Sequence, residues 1–587
     1  MSTKKVIIIG GGVAGMSAAH ELVERGFEVE VYERQKIYVG GKARSVDVPG
    51  TNLIHADKYL PGEHGFRFFP GFYKHITDTM KRIPFTDKNG IQHKNGCFDN
   101  LVPTSRIMLA IYGKDPIVMP ASFPKNKSDI KLMIHDLFDQ HELGLSQEEI
   151  DFFVARIWQC MTSCAFRRDG EYERISWWEF MQAERFSDAY RHLLVEGLTR
   201  SLVAARAEVA SMKTGTNVTL QLMFCMWDPS VNTDRVLNGP TNDVWLFPWL
   251  KYLTGKGIKF YHGYRGEEVI YESGIVRGIK VSDPDGKEQV VAGDLYILAT
   301  PVERTIKMIP ESMVQNDPSL TGLNTLAEST SWMNGIQYYL NEDVSINKGH
   351  VCYSYTEWAV TSISQIQFWK DYDLGDRFNG KIKGILSVDI SDWLYTKFNG
   401  RLAENCTAEE VMKYTWEQIK MSLNVNGKVL LRDDMIDHWY LDRDIHKATA
   451  QVQAIDKEPL LINAVNTWAL RPMARTRIQN FYLASDYVRT NTDLATMEGA
   501  NEAARRAVNS ILADSGSDAS PCTIWPLHEP AIFLPLKWWD NKRYQQGLPW
   551  SDKSPGWLKM FMVVWTITYI AFTVVRSFFK RLFGSIS

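Results

Sequence analysis

The clearest hydrophobic pattern opens the chain, where VIIIGGGVAGMSAAHELVERGFEVEVYE runs from Val6 to Glu33. Four apolar residues, a glycine turn, apolar residues at helical spacing and a second apolar run ending in an acid predict strand, turn, helix and strand. Gly10, Gly12 and Gly15 have G-x-G-x-x-G spacing. That spacing permits a tight turn, close approach of backbone to a pyrophosphate and close packing of helix on strand. Val13 and Ala14 then open a helix whose N-terminal N–H groups and dipole favour phosphate. Glu33 closes the second strand where a carboxylate can accept hydrogen bonds from ribose hydroxyls, with Arg34 beside it.

Farther along, Val39-Gly40-Gly41-Lys42-Ala43-Arg44-Ser45 is a second glycine turn carrying two cations, able to wrap the far side of a diphosphate. The stretch Leu60 to Tyr73, LPGEHGFRFFPGFY, is dense in glycine and aromatics that pack on something flat or fill a core. Residues 76 to 235 predict mainly helices and loops, including Asp151 to Cys164 and Ile175 to Gln182, with a capping-box start at Ser146 to Glu149. A helix from Trp245 to Gly255 precedes short strands at 258–261, 267–271, 274–282 and 288–291, with Asp283-Pro284-Asp285-Gly286 as a hairpin turn. Asp294 to Pro301 predicts a buried strand that returns the chain to the first sheet. Gly335 to Leu340 and Thr361 to Phe368 alternate as half-buried strands do. Asn480 to Asp486 is another apolar strand ending in an acid, followed by a long helix through Leu512.

Composition narrows the class. At 587 residues the chain is too long for one core, so two or more domains are expected, interleaved because no linker separates modules. Hydrophobic content of 45% with 23% charged residues is that of a globular protein, and mean hydropathy of -0.24 excludes a polytopic membrane protein. A net charge of -3 offers no general pull toward nucleic acid. The 19 Trp, 24 Tyr and 27 Phe imply bulky apolar surfaces. Strand formation by Lys5 leads us to expect no leader ahead of the fold, with the bulk of the chain in the cytosol. Seven cysteines without CxxC pairs read as reduced structural thiols, and Cys160 and Cys164 lack the partners a metal needs, so no metal is expected.

The tail changes the picture. Met560 to Val575 passes sixteen residues without a charge, flanked by Lys559 and by Arg576, Lys580 and Arg581. A span needs about 20 apolar residues, so the segment suits a helix lying in one leaflet, with tilted spanning as the lesser option. Trp557 and Trp565 suit the headgroup level, and the Trp- and Lys-rich stretch Phe533 to Trp550 can border the same interface.

These motifs together resemble the flavin amine oxidase superfamily, and within it the phytoene and zeta-carotene desaturase branch that includes the hydroxysqualene dehydroxylases. The resemblance rests on the fingerprint, GGKA at Gly40 to Ala43, LATP at Leu298 to Pro301, and ASDYVRTNTDLATMEGANEAARRA from Ala484. It is similar, less closely, at the aromatic loop containing Glu63-His64-Gly65-Phe66. The implied fold is α/β: a Rossmann-type FAD-binding domain (1–75, 241–304 and 471–515) interleaved with an α+β substrate domain (76–240 and 305–470). A tail of 516–587 would carry the membrane-associating helix at 557–583. The implied FAD contacts are the fingerprint residues, Gly40 to Arg44, Phe66, Val269, Thr300, Pro301, Asp486, Met497 and Ala500. Asp486 would bond the ribityl or phosphate region, although members usually have Gly-Asp where Ser485-Asp486 stands. The helix at Met497 would aim its N–H groups at the flavin N1 and O2 edge, stabilising reduced flavin.

The chemistry this implies is hydride transfer from an allylic carbon to flavin N5, the protein placing the C–H bond and excluding water. No acid or base pair is evident along the chain; His64, Arg67 and Glu498 are candidates by motif position. No second G-x-G-x-x-G is present, so the expected electron acceptor is a membrane quinone or oxygen rather than NAD(P)H. The leading expectation is desaturation of a long apolar isoprenoid at the cytoplasmic face of a membrane. A lipid dehydroxylase or isomerase, an amine oxidase, and a non-catalytic FAD-binding membrane partner are the alternatives.

Overall fold

The computed structural model describes residues 4–52, 58–65, 67–119, 144–197, 206–227, 231–232, 234–370, 372, 374–375, 377–446 and 455–583. Five parallel strands form the first sheet, in the order Phe481–Leu483, Leu295–Leu298, Lys5–Ile9, Glu28–Glu33, Lys259–His262. The first strand lies at its centre, and Val6 to Ile9 are buried because helices cover both faces of such a sheet. On it pack the fingerprint helix Val13–Val23 and the closing helix Met497–Ser515, which share a hydrogen bond from Asn501 Nδ2 to Ser17 Oγ at 2.7 Å. Residues almost five hundred positions apart thus close one nucleotide fold. A three-stranded antiparallel sheet, Arg265–Glu272, Ile275–Ser282 and Glu288–Val291, leans on this core through Val269, Ile279 and Val281.

The second large element is a seven-stranded sheet in the order Ile436–Leu441, Asn334–Leu340, Gly384–Ile390, Val360–Ser364, Val351–Tyr353, Ile107–Ile111, Lys114–Met119. One expectation is extended here and one corrected. Among the described residues the stretch 76 to 235 is mainly helix and loop as its pattern predicts, but it also supplies the unexpected hairpin at 107–119 to this sheet, paired in parallel to Val351–Tyr353. The strands Asn334–Leu340 and Val360–Ser364 are buried at every position rather than half-buried, because both faces of the sheet are covered. The helix expected over Ile175 to Gln182 shrinks to Trp177–Phe180, started by Ser176, whose hydroxyl accepts from Glu179 N.

The capping box at Ser146 forms as read, with Glu149 N donating to Ser146 Oγ and Ser146 N to the Glu149 carboxylate. After the closing helix, Leu534–Gln545 docks on the helical region through Asp540, which accepts from Arg167 Nε at 2.9 Å and from Cys164 N at 2.8 Å. The last helix, Gly556–Phe583, is held by Leu558, which is buried, and by Trp565 Nε1 donating to Ala531 O at 3.0 Å. Among the described residues no helix is long and apolar enough to cross a membrane. Sixteen uncharged residues extend about 24 Å as helix, short of a hydrocarbon core of about 30 Å.

Candidate functional site

The glycine turn after the first strand is built as its spacing requires. Gly10 has φ of 106°, and a Cβ there would lie 2.6 Å from Ala299 O; one at Gly15 would lie 1.8 Å from Gly10 O. These contacts press the helix on the strand and leave room for nothing larger than glycine. Gly12 is the N-cap of the fingerprint helix, with no side chain capping it and no acid in the first turn. The N–H groups of Val13, Ala14 and Gly15 thus begin a helix end suited to an anion. Glu33 stands beside the turn, its carboxylate accepting from Gly11 N at 2.6 Å and Gln35 N at 2.8 Å.

The GGKAR turn packs directly on this cradle. Gly40 N donates to Gly11 O at 2.8 Å, and Gly12 and Gly40 form an isolated parallel bridge. Gly40 and Gly41 both have positive φ, 92° and 57°, which the sharp return of the chain demands. Lys42 donates to Pro459 O, and Arg34 pairs with Glu458. Arg44 donates to Gly41 O at 2.7 Å and pairs with both Glu458, at 3.0 Å, and Asp444.

Next in line is the aromatic loop. Arg67 donates from Nε to Ala43 O at 3.1 Å and from its terminal nitrogen to Lys42 O at 3.0 Å, clamping this loop to the GGKAR turn. Its guanidinium is thereby a brace, with burial lowering its pKa against the pull of Glu63. His64 Nδ1 lies 2.5 Å from Asp442 Oδ2 and 3.7 Å from Asp444 Oδ2. Asn334 Nδ2 donates to the same Asp442 oxygen at 3.1 Å. Burial opposes ionisation of Asp442, but the His64 imidazole and the hydrogen bonds from His64 and Asn334 outweigh it and hold its carboxyl below the usual range. The structure therefore brings together an imidazole and a carboxylate that lie far apart along the linear chain. Phe66 lies outside the described residues.

Glu63, next to His64, behaves in the opposite way. Thr241 N and Oγ1 donate to its carboxylate at 3.0 and 2.9 Å, yet complete burial pushes its pKa up to about 7. His64, Asp444 and Glu458 bring ligand-type atoms within 4.8 Å of one another, the single such trio among the described residues. Arg34 and Arg44 meet the negative charge of its carboxylates.

At the far end of the cradle, Thr300 Oγ1 bonds Thr305 Oγ1 at 2.8 Å, and Pro301 caps the helix Val302–Met308. Asp486 O accepts from Arg471 at 3.2 Å, and its carboxylate accepts from Ser485 Oγ at 3.2 Å. Met497 and Ala500 lie in the first turn of the closing helix, which Thr496 caps by accepting from Gly499 N. Val269 is buried in the small sheet, registered on Ile279.

Glu498 has a different place from the one its motif position suggested. It is 1% exposed, and its two oxygens accept from Lys74 N, His75 N, His75 Nδ1 and Ile76 N at 2.7–2.9 Å. It anchors the start of helix His75–Arg82 and is committed there, not to a reacting atom. Asp442, Asp444, Asn334 and Glu458 were missed in the sequence. The signal available was faint: acids at 442 and 444, in Leu441-Asp442-Arg443-Asp444, at the end of a strand.

An uncapped helix end, a glycine-only cradle and an acid at the second strand fit the adenosine diphosphate half of FAD, and the cation-bearing GGKAR turn lies where the chain must continue toward the ring. Comparison with known proteins agrees. The model of the NAD(P)-binding Rossmann-like domain matches residues 8–83, and that of the flavin containing amine oxidoreductases matches 398–512. A zeta-carotene desaturase of Synechocystis sp. is 23% identical over 527 residues, covering 87% of this chain and 97% of that protein. The zeta-carotene desaturase of Capsicum annuum is 25% identical over 323 residues, about half of each chain at 52% and 50%. Among solved structures, cyclohexylamine oxidase from Brevibacterium oxydans shares the fold with a TM-score of 0.58, at 13% identity over 88% of this chain and 100% of that one. These matches support a place for the chain in the flavin amine oxidase superfamily, on its carotenoid desaturase-like branch, as an FAD-dependent oxidoreductase.

Proposed function

We propose that this protein desaturates a long apolar isoprenoid of the carotenoid-precursor type while attached to a membrane surface on its cytoplasmic side. The observation that carries the reading is the end-to-end likeness to a zeta-carotene desaturase, which runs through 97% of that protein. Bound FAD would supply the two-electron acceptor for hydride lost from an allylic carbon. The chain's own part is to hold the diphosphate on the fingerprint and GGKAR turns. Reoxidation by a membrane quinone suits a lipid-seeking enzyme without a nicotinamide site. The apolar face of the last helix supports attachment: Met560, Val563 and Ile567 are 72%, 60% and 63% exposed. Anaerobic mixing of the yellow holoprotein with phytoene or zeta-carotene in detergent should bleach the flavin and lengthen the polyene. Flavin that stays oxidised with every carotenoid precursor, yet is reduced by a soluble amine, would sink the reading.

A further inference from the structure

The observation that reaches furthest is the carboxylate–imidazole–amide chain at the junction of the nucleotide fold and the large sheet. Three segments converge there: the loop bearing His64, the start of strand Asn334–Leu340, and the turn after strand Ile436–Leu441. Gly335 N donates to His64 O at 2.8 Å, and Asp442 N to Gly335 O at 3.1 Å, so main-chain bonds fix all three segments. A Cβ at Gly335 would come within 2.9 Å of His64 O, and one at Gly65 within 2.7 Å of Asp389 Oδ1. The loop is seated by close contact on both sides.

Within this frame the Asp442 carboxylate is fully used. Oδ2 meets His64 Nδ1 and Asn334 Nδ2, and Oδ1 accepts from Asp444 N at 3.2 Å. Holding Nδ1–H against a carboxylate leaves Nε2 as the imidazole's acceptor, which is how an aspartate orients a histidine base in hydrolases. Arg67, three residues on, ties the same loop to Lys42 O and Ala43 O, so the loop bearing His64 is held against the GGKAR turn.

We propose that His64 is the base of the desaturation and that Asp442, itself held by Asn334, is its positioning residue. This rests on the function proposed above. One allylic carbon loses its C–H bond with the electron pair, which leaves as hydride for bound FAD. The adjacent carbon loses its C–H bond as a proton to His64 Nε2, and that bond's pair becomes the new C=C. The substrate is oxidised by two electrons and FAD reduced by two. Asp442 stabilises the imidazolium until the proton passes to solvent, and a quinone-class acceptor takes the electrons.

Two readouts test this on the full-length holoprotein. Stopped-flow flavin reduction by zeta-carotene should slow about a hundredfold or more in His64→Gln and in Asp442→Asn, with less change in Asn334→Ala. Unchanged FAD content and melting temperature verify that these variants fold. The second readout needs no substrate: as His64 gains a proton beside the ring, the flavin's visible spectrum should show a pH-dependent step that His64→Gln abolishes and Asp442→Asn displaces. Other groups facing the imidazole are Asp444, Asp456, Glu458 and Arg44, with Arg67 and Asp389 beside the loop; the comparison with His64→Gln removes their contribution. Reduction at the wild-type rate in His64→Gln, or an identical spectral step in that variant, overturns the proposal. Should no polyene reduce the wild-type flavin, the substrate reading fails and the spectral step alone decides whether His64 faces the ring.

Discussion

At the scale of single residues, the environment sets opposite characters on acids of the same region. Asp442 is buried, yet a partner imidazole and an amide hold its carboxyl below the usual range, whereas complete burial pushes Glu63 up to about 7 despite the Arg67 charge and the Thr241 hydrogen bonds. A carboxyl whose folded pKa lies above its unfolded value adds stability at low pH and loses it as pH rises through the folded value. The window for Glu63 therefore runs from about 4.5 to about 7. Between those limits wild type should lose on the order of 3 kcal/mol that Glu63→Gln retains. Melting curves across that range check this, and parallel curves for both proteins would count against it. Glycine positions were legible at this scale because Gly10 and Gly15 announce their backbone need by spacing alone. Glu498 was not, since the helix start it serves is formed by residues 74 to 76 and nothing local reveals that distant partner.

At the scale of elements, local signals were read where the element's own sequence decides. The capping box at Ser146 and the strand-to-proline boundary at Pro301 are examples. The hairpin at 107–119 escaped because its partner strand, Val351–Tyr353, lies some 240 residues away. Strands Asn334–Leu340 and Val360–Ser364 alternate in sequence but are buried throughout, since tertiary cover hides the polar face as well. The last helix turns Leu558 and Trp565 toward the protein and leaves Val563 and Ile567 outward. Val563→Glu with Ile567→Glu should therefore weaken binding to anionic vesicles about a hundredfold, at roughly 1.5 kcal/mol for each apolar side chain kept out of lipid, without lowering the melting temperature. Equal sedimentation of the variant and the wild type with vesicles would place attachment elsewhere, for instance around the half-exposed Trp538.

At the scale of the whole molecule, the cofactor site is assembled from strands and turns at residues 5–44, 295–301 and 481–500, which meet only when the chain is folded. FAD binds that assembly and not the unfolded chain, so it should stabilise the molecule by mass action, about 2.7 kcal/mol at a hundredfold excess over its Kd. Stripping the flavin should lower the melting temperature, and titrating FAD back should restore it; a melting point indifferent to FAD would contradict the site. By itself the sequence determined the nucleotide half, because a phosphate cradle is a local device: glycine φ angles, one helix end and one acid all fall within Val6 to Glu33. Only the tertiary structure assembled the other half. His64 and Asp442 are separated by most of the chain, and an acid–base pair exists only where folding brings its two members within hydrogen-bond reach.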